Sequence, residues 1–193
     1  MGIVSELEGL LSVDSSDGIA WDRNLLDDVA LQQQMVHASM LILLVGVLVG
    51  VLAGVALQHE DVGIGWFVLL ALASLVALPV HELVHAGAFA LLSGFSARIC
   101  FGFSDWMLYT SAAGVMLPKR RFCVVLLAPT FLVTTVLVLV PALLGMPLLG
   151  WFAAVLHLAG CTGDMAYVRI IAREPMATHV EDTERGISLL HDE

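Results

Sequence analysis

Residues 64–92 read IGWFVLLALASLVALPVHELVHAGAFALL, and apart from His81, Glu82 and His85 the stretch holds no ionisable side chain. As a helix it would rise about 40 Å at about 1.5 Å per residue, more than the roughly 30 Å hydrocarbon core of a bilayer. The stretch therefore reads as a membrane-spanning helix. Ionisable groups at such a depth are costly unless they are paired, bound to a metal or turned to water. One segment thus sets the solvent of the fold and marks its chemistry.

Working outward, three further apolar blocks cover about 36–57, 122–144 and 147–172. Hydrophobic residues make up 59% of the chain and charged ones 13%, against about half and about a quarter in a soluble domain. That much apolar surface cannot be hidden from water in 193 residues. Pro141, Gly145 and Pro147 separate the last two blocks with helix-breaking chemistry, so these form an antiparallel hairpin. The expected fold class is an all-α membrane protein with four transmembrane helices.

Orientation follows from Lys and Arg, which accumulate in short cytoplasmic loops. Residues 95–121 hold Arg98, Lys119, Arg120 and Arg121, the C-terminal side holds Arg169, Arg173 and Arg185, and the loops near 58–63 and 145–147 hold none. The chain is thus expected as a multi-pass protein of the cell membrane, both termini cytoplasmic. Residues 1–35 form an acidic N-terminal segment, 36–172 the transmembrane domain and 173–193 an acidic tail. A short amphipathic helix is expected near residues 3–13. No cleavable signal peptide is expected, because the N-terminus is acidic and the first apolar block begins late.

The net charge of −10 sits mostly in the two terminal segments, which should be solvated and have no affinity for nucleic acid. Cys100, Cys123 and Cys161 are odd in number and far apart, fitting neither a disulfide framework nor a CxxC knuckle. They read as small buried hydrophobes, with Cys161 close to the site argued below. Within the cytoplasmic loop, Phe101, Phe103, Trp106, Leu108, Tyr109 and Met116 flank the turn formers Gly102, Ser104 and Asp105. This pattern reads as a β-hairpin or re-entrant element, or as an interfacial loop anchored by its aromatics.

His81 and His85 are four apart and share one helix face. Two imidazoles so spaced can bind one zinc, with the adjacent Glu82 placed to take a proton from a metal-bound water. A catalytic zinc usually has three protein ligands and an open position. Asp164 is the leading third ligand, the only acidic residue inside the fourth block. It lies 17 residues past the block's start at 147, as His81 lies 17 past residue 64, and both spans run inward, so the two meet at one depth. Gly160 and Gly163 permit close backbone approach there.

His157 is the rival ligand, on nearly the same helix face as Asp164 but about 10 Å further from the cytoplasm by helical rise, so it is expected instead to line the same cavity or hydrogen-bond a neighbouring helix. His37, His59, His179 and His191 fall at span ends or in tails. Pro79 and Pro129 are each expected to free a carbonyl one turn earlier and to kink their spans, two kinks at one depth that point to a water-accessible cavity.

Taken in order, Pro79-Val80-His81-Glu82-Leu83-Val84-His85, Leu127-Ala128-Pro129, Gly163-Asp164 and Val180-Glu181-Asp182-Thr183-Glu184 resemble the putative zincin membrane peptidases, from about residue 75 to the C-terminus. The resemblance implies metal positions at His81, His85 and Asp164 and a catalytic base at Glu82. More distantly the plan is similar to the site-2 proteases. It departs from them in having Cys-Thr-Gly before the aspartate and no PDZ-like domain.

The expected function is an intramembrane zinc metalloprotease with one Zn2+ per chain, cleaving a peptide or transmembrane-protein substrate near the cytoplasmic face. The alternatives are a non-catalytic zinc-binding scaffold and a zinc hydrolase of a lipid or small amide.

Overall fold

A computed structural model of the chain describes residues 21–23, 28–57, 60–104, 107–112, 114–183 and 186–191. In chain order the elements are β1 (Trp21–Arg23), α1 (Val29–Leu57), α2 (Ile64–Leu92), β2 (Cys100–Ser104), β3 (Met107–Ser111) and β4 (Met116–Pro118). There follow α3 (Lys119–Leu143), α4 (Pro147–Gly160), α5 (Thr162–Arg173), β5 (His179–Thr183) and β6 (Gly186–Leu190). The helix expected near residues 3–13 lies outside the described residues.

Helices α1, α2 and α3 are each long and apolar enough to cross a membrane; α4 and α5, bent by 48° at their junction, make a fourth span when counted together. Their outer faces expose Leu44, Phe67, Leu75 and Phe131, as a lipid solvent demands. Helix α2 runs unbroken through Pro79.

Glycine sets the distances between helices. A Cβ at Gly50 of α1 would come within 2.8 Å of Trp151 and Phe152 on α4. A Cβ at Gly150 of α4 would meet the Leu137 carbonyl of α3 at 2.8 Å. That carbonyl has no helical donor, since Pro141 stands four residues on without an N–H. Glu60 fixes the start of α4: its carboxylate accepts the backbone N–H groups of Leu148 and Leu149 and the Trp66 Nε1–H, a negative charge placed on a helix N-terminus.

The junction of α4 and α5 is held from α1. Ser39 Oγ donates to the Ala159 carbonyl at 2.8 Å and lies 2.8 Å from Thr162 Oγ1, so a carbonyl at the break is satisfied by a hydroxyl.

The opposite end of the bundle corrects the all-α expectation. Among the described residues, six short strands form two antiparallel sheets, one ordered β1-β6-β5-β4 and the other β2-β3. The fold is thus mostly helical with small sheets. Residues 179–190, expected to be a solvated tail, put Val180, Ile187 and Leu189 into a core with Phe89, Phe122 and Ile171. The burial of these apolar side chains outweighs the acidity of their neighbours, which lie on half-exposed positions of β5. The pairs Trp21↔Leu189 and Leu117↔Val180 bring the chain before α1, between α2 and α3, and after α5 to one end. In the smaller sheet Phe101 pairs with Thr110 and Gly102 with Tyr109, whose ring lies over the glycine. Cys100, expected buried, is exposed on β2, while Cys161 is buried.

This arrangement sets Asp61, in the α1–α2 connection, and Arg120, at the start of α3, at opposite ends of the bundle. In a background lacking the three native cysteines, Asp61→Cys and Arg120→Cys should be modified from opposite faces of a sealed membrane by an impermeant maleimide.

Candidate metal centre

The histidines at 81 and 85 project from one face of α2 towards α5, with ring centroids 4.7 Å apart. Their Nε2 atoms lie 3.0 Å from each other. His81 Nε2 is 3.2 Å from Asp164 Oδ2, and His85 Nε2 is 3.5 Å from Asp164 Oδ1. Asp164 stands in the first turn of α5 just past the bend, where the free N–H groups of a helix start favour a carboxylate. The depth comparison along the sequence placed it at this level.

The orientation of His85 is imposed by α3. Its Nδ1 is 3.0 Å from the Val125 carbonyl, and a carbonyl only accepts, so Nδ1 carries the hydrogen and Nε2 presents a lone pair. Pro129, four residues after Val125, has no N–H to bind that carbonyl within the helix. The proline thus releases the acceptor that fixes the imidazole.

Glu82, half-buried beside His81, has its backbone carbonyl capped by the Thr110 hydroxyl at 3.0 Å. This bond ties β3 to the middle of the motif. The Ala112 N–H in turn donates to Asp182 Oδ2 at 2.7 Å, linking the end of β3 to β5. Burial pushes the Asp182 carboxyl above the usual carboxylate range, opposed by that Ala112 N–H.

His157 is nearer than helical rise implied. Its Nε2 lies 3.1 Å from His81 Nδ1 and its Nδ1 lies 2.9 Å from Thr134 Oγ1. The His81 ring reaches both neighbours because its two nitrogens point opposite ways along α4 and α5. Cys161 Sγ, at the bend, is 3.9 Å from His81 Nδ1. Of the residues singled out in the sequence, His81, His85, Asp164, His157 and Cys161 are brought together. His37 is exposed on α1, and His179 and His191 lie on or beside the terminal strands. Sequence reasoning missed Thr110, Thr134 and the inward placement of Asp182; only the freed Val125 carbonyl had a signal, the proline four residues on.

The donor set suits a zinc ion. Bonds of about 2.0–2.1 Å around a tetrahedral centre place ligand atoms about 3.3 Å apart, close to the separations of the two Nε2 atoms and the Asp164 carboxylate. Three acceptors this close repel one another, and a cation between them removes the repulsion.

Residues 74–178, more than half of the chain, match the family described as putative zincin peptidase. The chain belongs to that family. No curated protein and no solved structure matches the chain at a significant level. Membership of the zincin family implies zinc and a metallopeptidase, and the His/Asp cluster on α2 and α5 is a candidate place for the metal.

Purified protein should hold zinc; in a site built on the candidate cluster, replacing His81, His85 or Asp164 by Ala removes a bond to the metal and should lower zinc content to a small fraction of wild type. Cys161→Ser should retain the wild-type content. Metal analysis of the detergent-purified variants checks both.

Proposed function

We propose that this chain is an intramembrane zinc metalloprotease that cleaves peptide bonds near the cytoplasmic face of the cell membrane. The observation that carries the reading is the convergence of two imidazole nitrogens and a carboxylate to within 3.0–3.5 Å inside an apolar bundle, with Glu82 adjacent on the same helix. Polar groups at such depth are expensive without a function to hold them there.

In this reading His81, His85 and Asp164 hold one zinc. The ion supplies Lewis acidity, which polarises a scissile carbonyl and acidifies a water. Glu82 accepts the proton as the water oxygen bonds to the carbonyl carbon, then gives it to the amide nitrogen as the C–N bond breaks. Val125, through its bond to His85, keeps one imidazole aligned throughout.

The β2–β3 hairpin provides the docking element. Among the described residues β2 pairs only with β3, so an unwound substrate segment can extend the sheet by strand addition. Thr110 holds that hairpin against Glu82 and so sets the substrate's distance from the base. The basic residues near the ends of α3 and α5 support a cytoplasmic location for this face.

Glu82→Gln keeps the size of the side chain and removes the base. Zinc should stay bound while hydrolysis of a transmembrane reporter substrate falls by about 10² or more. A wild type that hydrolyses nothing, with a cellular function that survives Glu82→Gln and is lost in His81→Ala, would mark a non-catalytic scaffold, and cleavage of lipid amides or esters in place of the reporter would mark a different hydrolase.

Thr110→Val removes the hydroxyl but preserves shape and strand propensity. Zinc content should be unchanged and kcat/KM should fall several-fold, on the scale of about 1 kcal/mol for one lost hydrogen bond. Loss of zinc in this variant would reassign the strand to the metal site.

A further inference from the structure

We infer that His157, with Thr134 behind it, is a positioning residue that fixes the tautomer and ring plane of His81. The inference rests on the zinc reading above and adds an assignment for two residues that bear no metal.

For His81 to offer Nε2 to a cation shared with His85 and Asp164, its hydrogen must sit on Nδ1. That Nδ1–H needs an acceptor, because a donor left unpaired inside an apolar bundle costs several kcal/mol. The atom present is His157 Nε2, at 3.1 Å. If His157 Nε2 accepts, its own hydrogen is on Nδ1, and the Thr134 hydroxyl oxygen lies 2.9 Å from that atom as an acceptor. Each link in the chain Thr134, His157, His81 therefore has one consistent set of donors. Reversing the chain would put a hydrogen on His81 Nε2, facing Asp164 and closing the ring nitrogen to a metal. The partner histidine is handled in the same way by different means: His85 Nδ1–H is taken by the Val125 carbonyl. Both acceptors are set by α3, one through a carbonyl freed by proline and one through a threonine nine residues after Val125.

The competing assignment makes His157 a ligand, in a second group with His81 and Cys161 whose donor atoms also lie close together. Geometry argues against it. Cys161 Sγ is 3.7 Å from His157 Nδ1 and 3.8 Å from its Nε2. A sulfur equidistant from the two nitrogens lies beside or over the ring. A thiolate sharing a metal with Nε2 would lie beyond that nitrogen along its lone pair, much further from Nδ1.

The experiment uses full-length protein in detergent, loaded with zinc for affinity by chelator competition and with cobalt(II) for its visible spectrum. His157→Ala should weaken zinc binding about 10- to 100-fold, the usual effect of losing an orienting partner of a metal histidine, and should shift the cobalt ligand-field bands. His157→Gln, whose amide oxygen can stand where Nε2 stands, should recover affinity to within a few-fold of wild type. Thr134→Val, which keeps the helix packing, should weaken binding by a few-fold and no more. Wild-type affinity and an unchanged cobalt spectrum in His157→Ala would overturn the inference while leaving the metal site standing. An intense near-ultraviolet sulfur-to-cobalt band in the wild type, lost in Cys161→Ser, would overturn it in favour of the ligand assignment. Wild-type protein that binds neither metal would overturn the zinc reading itself.

Discussion

The bond from His85 Nδ1 to the Val125 carbonyl joins the two requirements that shape this molecule. Hydrocarbon offers no water to satisfy a polar group, so every donor and acceptor within the bundle must find a partner from the chain. A helix normally uses all its carbonyls, which leaves a histidine nothing to bind. Pro129 breaks that economy at one position of α3, and the histidine of a neighbouring helix takes the carbonyl. Ring orientation and helix packing are consequently one interaction, and α3 shapes the cluster without contributing a donor atom to the His81, His85 and Asp164 group.

The remaining architecture brings α5 to the correct place opposite α2. Glu60 holds the beginning of α4, and the core beneath the larger sheet holds Ile171 near the end of α5. Between these anchors the chain turns by 48°. The turn exposes the N-terminal N–H groups of α5 beside Asp164, so an element that would be a defect in a plain membrane span supplies a favourable setting for a carboxylate. Glycines on α1 let it pack closely against α4 ahead of the bend, while at the bend itself Gly160 has open space around it.

Much of this was legible in the sequence, and the boundary has physical causes. Unbroken apolar length is a strong signal, so the helical blocks were visible, as was the four-residue spacing of His81 and His85. The shared depth of Asp164 followed from rise per residue alone. The larger sheet was not visible because its strands are three to five residues long and pair across most of the chain, β1 with β6. Its acidic residues also outweighed Val180, Ile187 and Leu189 in any count of charge. His157 was legible as a residue that lines the same cavity or hydrogen-bonds a neighbouring helix, and only its distance from His81 was overestimated, because depth was measured between backbone positions. An imidazole with two reactive edges spans a gap that rise per residue treats as empty, and the bend at Cys161 carries no proline to announce it. The exposed Cys100 shows the converse limit: a lone small residue on a two-stranded sheet carries no periodicity from which to read its face.

The pairing of β1 with β6 has a consequence for how the protein is made. Residues 21–23 are made before α1 to α5 and must wait for residues 187–189, made after them, before their ladder can close. The segment bearing His81 and Glu82 likewise enters the membrane well before Asp164 is synthesised. A chain made only as far as α3 therefore carries His81, Glu82 and His85 without Asp164 beside them. The cluster of His81, His85 and Asp164 therefore closes only once α5 has joined α2, late in the order in which these elements are made.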